Sequence, residues 1–388
     1  MLKKIWILGV IHLLLFSLLS IPIVNAEEVN LTPNARSAIL IDQDTGTILY
    51  EKNSHDRLPP ASITKIMTML LIMEALDQGK IALDDKVRVS ENAASMGGSQ
   101  IFLEVGEEMT VKDLLKGIAI ASGNDASVAM AEYIAGSEEG FVHMMNKKVE
   151  ELGLKNTHFV NSNGLPENDH YTSAYDIAIM SRELLKYEKI TEFTGIYEDY
   201  LRKDTDNPFW LVNTNRLVRF YEGADGLKTG YTSEAKYCLS ATAKRGSLRV
   251  IAVVMGEPNT KTRNKEISQL LDFAFSQYKN EVIYQKNQMI TKVEVSKGKE
   301  HEVQLVAPHQ ISILMKKGEK IEDYEQIIKI KEQIQAPIKQ GDILGALEII
   351  RNGKIVQSIS LESSTDISKA NLYHLIKKVV KEHLFLNQ

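Results

Sequence analysis

With 388 residues, 44% of them hydrophobic and 25% charged, the chain is long enough for two folded units and too apolar to stay disordered. A net charge of −5 leaves no basic excess to neutralise phosphates, which argues against a nucleic-acid partner. The single cysteine, Cys238, excludes an intramolecular disulfide and a thiolate metal cluster, and turns attention to serine for nucleophilic chemistry.

Residues 1–26 read as a secretory signal. Lys3 and Lys4 precede an apolar run from Ile5 to about Val24, and Val24-Asn25-Ala26 offers a cleavage site before Glu27. An uncleaved membrane anchor is the other reading of the same run. Either way the remainder is expected outside the cytoplasm.

Ser37–Asp42 and Thr47–Tyr50 flank the turn Gln43-Asp44-Thr45-Gly46, a β-hairpin signal. From Ser62 to Leu76 apolar residues surround the helical wheel, so this helix should run buried through the middle of a domain and stop at Gly79. Helical patterns follow at 111–121, 126–134, 141–152 and 174–185. Strand-like stretches return at 227–232, 237–243 and 248–255, and a helix spans 261–278. This order predicts an α/β (α+β) domain over 27–281, a mostly antiparallel sheet interrupted by an all-α insertion. Cys238 falls in one of its strands, where a small buried side chain is the simpler reading than a reactive thiol.

From about Val282 the texture changes to short strands at 290–295, 302–306, 311–314, 343–350 and 355–361, with Asn352-Gly353 marking a tight hairpin. They predict a small all-β sandwich over 282–365. Residues 366–388 read as an amphipathic helix, with Leu372, Leu375, Ile376, Val379 and Val380 opposite Lys369, Lys377, Lys378 and Lys381. Such a basic terminal helix suits a membrane surface, or else packs on the β module.

Four Ser-x-x-Lys tetrads occur, so the motif alone says little. The first, Ser62/Lys65, is set apart by Pro59-Pro60 at the mouth of the buried helix, where unpaired N–H groups favour developing negative charge. Lys65, nearly one turn on, shares the face of Ser62. To act as a base it must be neutral, against an ordinary pKa of ~10.4. Burial lowers that value, and a second cation about 4 Å away would lower it by roughly three more units at a dielectric of ~20. Lys228-Thr229-Gly230, read as a strand start, supplies a candidate cation, a hydroxyl donor and a glycine that admits a substrate backbone. Ser122-Gly123-Asn124 forms a polar corner between two helices. Each tripeptide alone reads as an ordinary surface strand or helix cap. In this order, each on the element its chemistry needs, the three are far more specific, and match the three-box pattern of penicillin-recognising serine enzymes.

The sequence resembles the low-molecular-weight penicillin-binding D-alanyl-D-alanine carboxypeptidases, in particular their sporulation-type branch. The likeness runs through PASITKIMTMLLIMEAL, ASMGGSQIFLE, LLKGIAIASGNDASVAMAE and the segment from Gly223 to Lys236. It implies removal of the terminal D-alanine of peptidoglycan stem pentapeptides through an acyl-enzyme on Ser62, with no cofactor and with β-lactams as inhibitors. It also implies attachment to the outer face of the cytoplasmic membrane. Carried over by position, Lys65 is the base, Ser122 a proton relay and Asn124 an orienting amide. Lys228, Thr229, Gly230 and Arg263 bind substrate, and the backbone N–H groups of Ser62 and Tyr231 form the oxyanion hole. His170, Ser173 and Asp176 match a family segment read as loop support. The second box carries Gly123 where β-lactamases carry Asp, and no deacylation-base segment of the β-lactamase kind is evident. A β-lactamase or D,D-endopeptidase on the same scaffold, and a non-catalytic penicillin-sensing or wall-binding module, are the alternatives.

Overall fold

The computed structural model describes residues 30–371; the signal segment and most of the C-terminal amphipathic stretch lie outside them. A five-stranded antiparallel sheet organises the first unit, in the order Ile48–Lys52, Ser37–Asp42, Leu248–Glu257, Lys236–Arg245, Ala224–Thr232. The two ends of the sequence segment thus meet in one sheet, and everything from 53 to 223 is an excursion from it. Alternation decides which face each side chain takes. Ile39, Ile41, Ile251 and Val253 join the helical block. Leu40, Val250, Ala252 and Val254 pack under the helix Thr260–Gln277 on the other face. Both faces are covered, which is why SAILID is buried at every position.

The helix Lys65–Asp77 is buried on nearly all sides, as its lack of a polar face requires, and Gly79 at φ +65° ends it. Helices Asn124–Ala135, Glu138–Glu151 and Ala174–Leu184 surround it. The run at 111–121 is divided: an α-helix Val111–Lys116 widens into a π turn, Gly117–Ala121. Two small hairpins, Lys86–Arg88 with Glu108–Thr110 and Glu198–Leu201 with Phe209–Val212, went unforeseen because their strands are too short for a visible alternation.

Beyond residue 277 a second five-stranded sheet runs Met289–Glu294, Glu302–Val306, Lys354–Ser363, Ile343–Arg351, Tyr324–Ile330, around its own apolar core. Arg351 pairs with Lys354 across the Asn352-Gly353 turn, both turn residues at positive φ. Tyr278–Tyr284 pairs with Ile311–Lys316. Asn280 Nδ2 donates to Asp42 Oδ1 at 2.9 Å, and Gln310 and Ser312 both reach Asp44, so the β unit grips the first hairpin. The start of the expected C-terminal helix needs correction. Residues 366–371 are extended: Ile367 bridges Ile338 and is buried, and Lys369 bridges Gly298. Burial of Ile367 in the β core outweighs the helical period there.

Candidate active site

Pro59-Pro60 leads into a 3-10 turn, Ala61–Thr64, and the α-helix proper begins only at Lys65. Ser62 therefore sits in the tighter turn ahead of the helix. Ala61 is held at φ +48°, a region that costs a residue with a β-carbon about 1–3 kcal/mol. Three contacts over-determine this turn. Gly164, at φ +91°, lies so close that a β-carbon there would stand 1.9 Å from the Ala61 carbonyl oxygen. Gly230 presses from the strand side, its absent β-carbon falling 3.1 Å from Pro60 O. Thr64 Oγ1 donates to Ala61 O at 2.9 Å and is itself bonded to His170 Nε2 at 2.8 Å.

That last contact fixes the tautomer of His170. Val160 N–H donates to Nδ1 at 3.0 Å, so Nδ1 is the acceptor and Nε2 carries the proton given to Thr64. Burial, then the neighbouring His158, depresses the imidazole pKa to about 4, which keeps it neutral. Ser173 caps the helix Ala174–Leu184, and Asp176 Oδ2 accepts from Asn156 N and Thr157 Oγ1. All three residues of this segment brace the loop beside the nucleophile.

Lys65 Nζ stands 3.1 Å from Ser62 Oγ, 2.6 Å from Asn124 Oδ1 and 2.5 Å from the carbonyl oxygen of Asn163. The last two can only accept. A neutral amine has two N–H donors and one lone pair. With both donors spent on Asn124 and Asn163, the lone pair is left for the Ser62 hydroxyl. Lys65 is fully buried, and its pKa is held well below the ordinary lysine value, first by burial and then by Lys228. The expected second cation is thus present, but desolvation ranks ahead of it.

Asn124 opens its helix, with its N–H on Ser99 O at 2.7 Å and Nδ2 on Gly97 O at 2.7 Å. Ser122, buried and left-handed at φ 65°, is where the π turn ends. Asp125 takes the N–H groups of Ile101 and Leu103, which ties the 97–103 loop to the same corner. Across the cleft the strand is longer than expected, Ala224–Thr232, so Lys228-Thr229-Gly230 lies within it rather than at its start; the turn at Gly223, φ +85°, sets the true beginning. Lys228 is buried, donates to Thr229 O at 3.0 Å, and is brought down to about 7 by burial and by Arg263. Arg263, also buried, leans on Asn264 Oδ1 through Nε and Nη2 and is lowered to about 10, chiefly by desolvation. Thr229 Oγ1 donates to Thr214 Oγ1 at 2.7 Å. Tyr231 is exposed, its ring 4.4 Å from that of Tyr237.

Of the residues singled out from the sequence, Ser62, Lys65 and Asn124 are joined directly by hydrogen bonds, and Lys228 lies close enough to Lys65, and Arg263 to Lys228, to shift the partner's pKa, while Ser122, Thr229 and Tyr231 are placed by the adjoining corner and strand. Sequence reasoning missed Thr64, Asn163, Thr214 and Asp125. Asn163 acts through a backbone carbonyl, which no side-chain pattern can announce. Cys238 is buried, and its thiol is pushed up to about 11, mainly by desolvation.

Residues 24–259 match the family model described as D-alanyl-D-alanine carboxypeptidase, and residues 278–369 match that described as penicillin-binding protein 5, C-terminal domain. The chain is 60% identical to D-alanyl-D-alanine carboxypeptidase DacF of Bacillus subtilis (strain 168), over 90% of each. It is 34% identical to D-alanyl-D-alanine carboxypeptidase DacA of Haemophilus influenzae, over 87% of this chain and 86% of that one. The crystal structure of penicillin binding protein 5 from Haemophilus influenzae superposes with a TM-score of 0.70 at 33% identity, covering 87% of this chain and 98% of that one.

Proposed function

Because the chain belongs to the penicillin-binding D-alanyl-D-alanine carboxypeptidase family, we propose that its serine chemistry is carried by Ser62 and primed by Lys65. The enzyme is a serine-type D-alanyl-D-alanine carboxypeptidase. The single observation that carries the assignment of its nucleophile is the placement of Lys65 Nζ 3.1 Å from Ser62 Oγ, with Asn124 Oδ1 and Asn163 O as its two other partners.

On this reading Lys65 takes the Ser62 proton as Oγ attacks the carbonyl between the last two D-alanines. The backbone N–H groups of Ser62 and Tyr231 stabilise the oxyanion, and Ser122 passes a proton to the departing amine. Water then hydrolyses the ester. The terminal carboxylate lies against Lys228, Thr229 and Arg263. A lysine near 7 is half charged at neutral pH, and an arriving carboxylate draws it to the ammonium form, which holds the free C-terminus of the substrate in place. Peptides without a free carboxylate lose that contact.

Three placements complete the proposal. Residues 1–26 export the chain, 27–281 carry catalysis and 282–365 form the β unit. The basic amphipathic pattern from Leu372 onward attaches the enzyme to the outer face of the cytoplasmic membrane; among the described residues no helix is long and apolar enough to cross one. Likeness to DacF of Bacillus subtilis supports a role in sporulation. The decisive experiment incubates wild type and Ser62→Ala with a pentapeptide ending in D-Ala-D-Ala and measures free D-alanine. Release from the first and none from the second is expected; equal release would end the assignment of Ser62. Labelled penicillin should attach to wild type alone and leave slowly.

A further inference from the structure

The Asn124 amide serves Lys65 in one orientation only. Its Oδ1 accepts from Lys65 at 2.6 Å while its Nδ2 donates to the carbonyl oxygen of Gly97 at 2.7 Å. Reversed, the amide would set an oxygen against that carbonyl and aim an N–H donor at Lys65. A neutral amine would then spend its lone pair on Asn124 instead of on Ser62. The direction of one amide therefore decides whether the base is armed, and Gly97 O sets that direction. Gly97 lies in an exposed loop outside any helix or strand. Its carbonyl has to be held still from elsewhere.

The loop is gripped from two sides at 101–103. From inside, the buried Asp125 carboxylate accepts from Ile101 N at 3.0 Å and from Leu103 N at 3.1 Å. From outside, Arg202 donates through Nη1 to Ile101 O and through Nη2 to Phe102 O, each at 3.1 Å. Glu107 holds the same guanidinium with both carboxylate oxygens, at 2.7 and 2.9 Å, and both side chains are half-buried. Between the two grips Phe102 is kept at φ +56°, a conformation that costs a residue with a β-carbon. Ile101 seats against the second box, where a β-carbon on Gly117 would stand 2.8 Å from its Cδ1. Back along the loop Gly98, at φ +79°, lies so near the amide that a β-carbon there would stand 2.8 Å from Asn124 Nδ2. Ser99 O takes the Asn124 N–H at 2.7 Å. The grip at 101–103 is thus passed along the loop to the amide.

We propose that Arg202, paired with Glu107, is a positioning residue for acyl transfer: its hold on the 101–103 loop keeps Gly97 O where it fixes the Asn124 amide with Oδ1 toward Lys65. The inference rests on the assignment of Lys65 as the base and deepens it. Without Arg202 the amide can reverse, but only over a neutral Lys65, because an ammonium group has no lone pair to accept the N–H. Reversal therefore removes armed base from the plateau of the pH profile and leaves the acid limb where it was. The charges that act on Lys65, Lys228 from the strand Ala224–Thr232 and Asp125 from the helix Asn124–Ala135, are untouched by the exchange.

The test uses the full chain and the pseudo-first-order rate of acylation by a fluorescent penicillin, followed from pH 5 to 10. The rate constant reports only molecules able to react, so a partly unfolded preparation does not disturb it. In Arg202→Gln the plateau should fall about tenfold and the apparent pKa of the acid limb by about one unit, so that the profile meets that of wild type at low pH. Glu107→Gln, which keeps the shape of the carboxylate and loosens its hold on Arg202, should show the same linked changes at about threefold and about half a unit. General loosening of the cleft would instead lower the rate by one factor at every pH. Wild-type plateaus in both variants, or profiles lowered in parallel, would overturn the positioning role and leave the carboxypeptidase reading intact. No acylation of wild type at any pH would instead overturn that reading.

Discussion

A change of one atom beside Lys65 should cost it the role of a neutral base. Asn124→Asp replaces the Oδ1 that accepts from Lys65 at 2.6 Å with a carboxylate of the same shape. At an effective dielectric of ~20, opposite unit charges at that distance attract by about 6 kcal/mol, more than four pKa units. The ammonium form would then persist through neutral pH and the lone pair facing Ser62 would be gone. If the pair instead relaxes by proton transfer, the Asp hydroxyl donates to the amine and occupies the same lone pair. Both states disarm Ser62. The pseudo-first-order rate of acylation by a fluorescent penicillin, followed from pH 5 to 10, should fall by about a thousandfold at pH 7, and its acid limb should move up by several units. The melting temperature should fall as well, because a carboxylate oxygen then faces the Gly97 carbonyl to which Asn124 Nδ2 donates at 2.7 Å, so the rate is compared per folded molecule. Acylation of Asn124→Asp at the wild-type rate and with the wild-type profile would refute the base assignment.

Gly164→Ala would force a β-carbon to within 1.9 Å of the Ala61 carbonyl oxygen, so the nucleophile turn must move. Penicillin acylation should drop by about a hundredfold, and a folded variant labelling at full rate would contradict the packing described. Glu257 is buried, pushed up to about 8 by desolvation and by Glu266, whose carboxylate is committed to Asn34 and Ala35. The folded protein keeps a proton there that the unfolded chain releases near ~4.3. Stability is therefore lost as pH rises from the unfolded value through about 8. Urea unfolding at pH 5, 7 and 9 should show a shallower decline for Glu257→Gln; parallel curves would remove Glu257 as the cause. His170 has the opposite sign: with its pKa lowered to about 4, stability present above ~6.5 is lost as pH falls through 4. A His170 imidazole resonance, assigned by its loss in His170→Asn, that titrated near ~6.5 in the folded protein would exclude the Thr64–His170–Val160 arrangement.

The elements that position the site were readable because their physics is local. A helix apolar on every side has to be buried, and the turn residues mark Ser37–Asp42 as one arm of a hairpin, whereas its burial at all six positions came with the sheet. That the first hairpin meets the last strands in one sheet follows from the helical excursion between them, but the register, with Ser37 opposite Met255, is recorded by no period in the sequence. Boundaries failed where tertiary contact overrode pattern, at the extended residues 366–371 and in the strand that already begins at Ala224.

The sequence by itself singled out the candidate side chains, Ser62, Lys65, Asn124 and Lys228 from three short motifs in order and Arg263 through the family resemblance. Only the tertiary structure decided their protonation and aim. Desolvation of Lys65, its coupling to Lys228 and of Lys228 to Arg263, and the backbone carbonyl of Asn163 that accepts from its amine are properties of packing. They exist only once segments far apart in the chain exclude water from the same small volume, because the energy of a charge depends on what surrounds it.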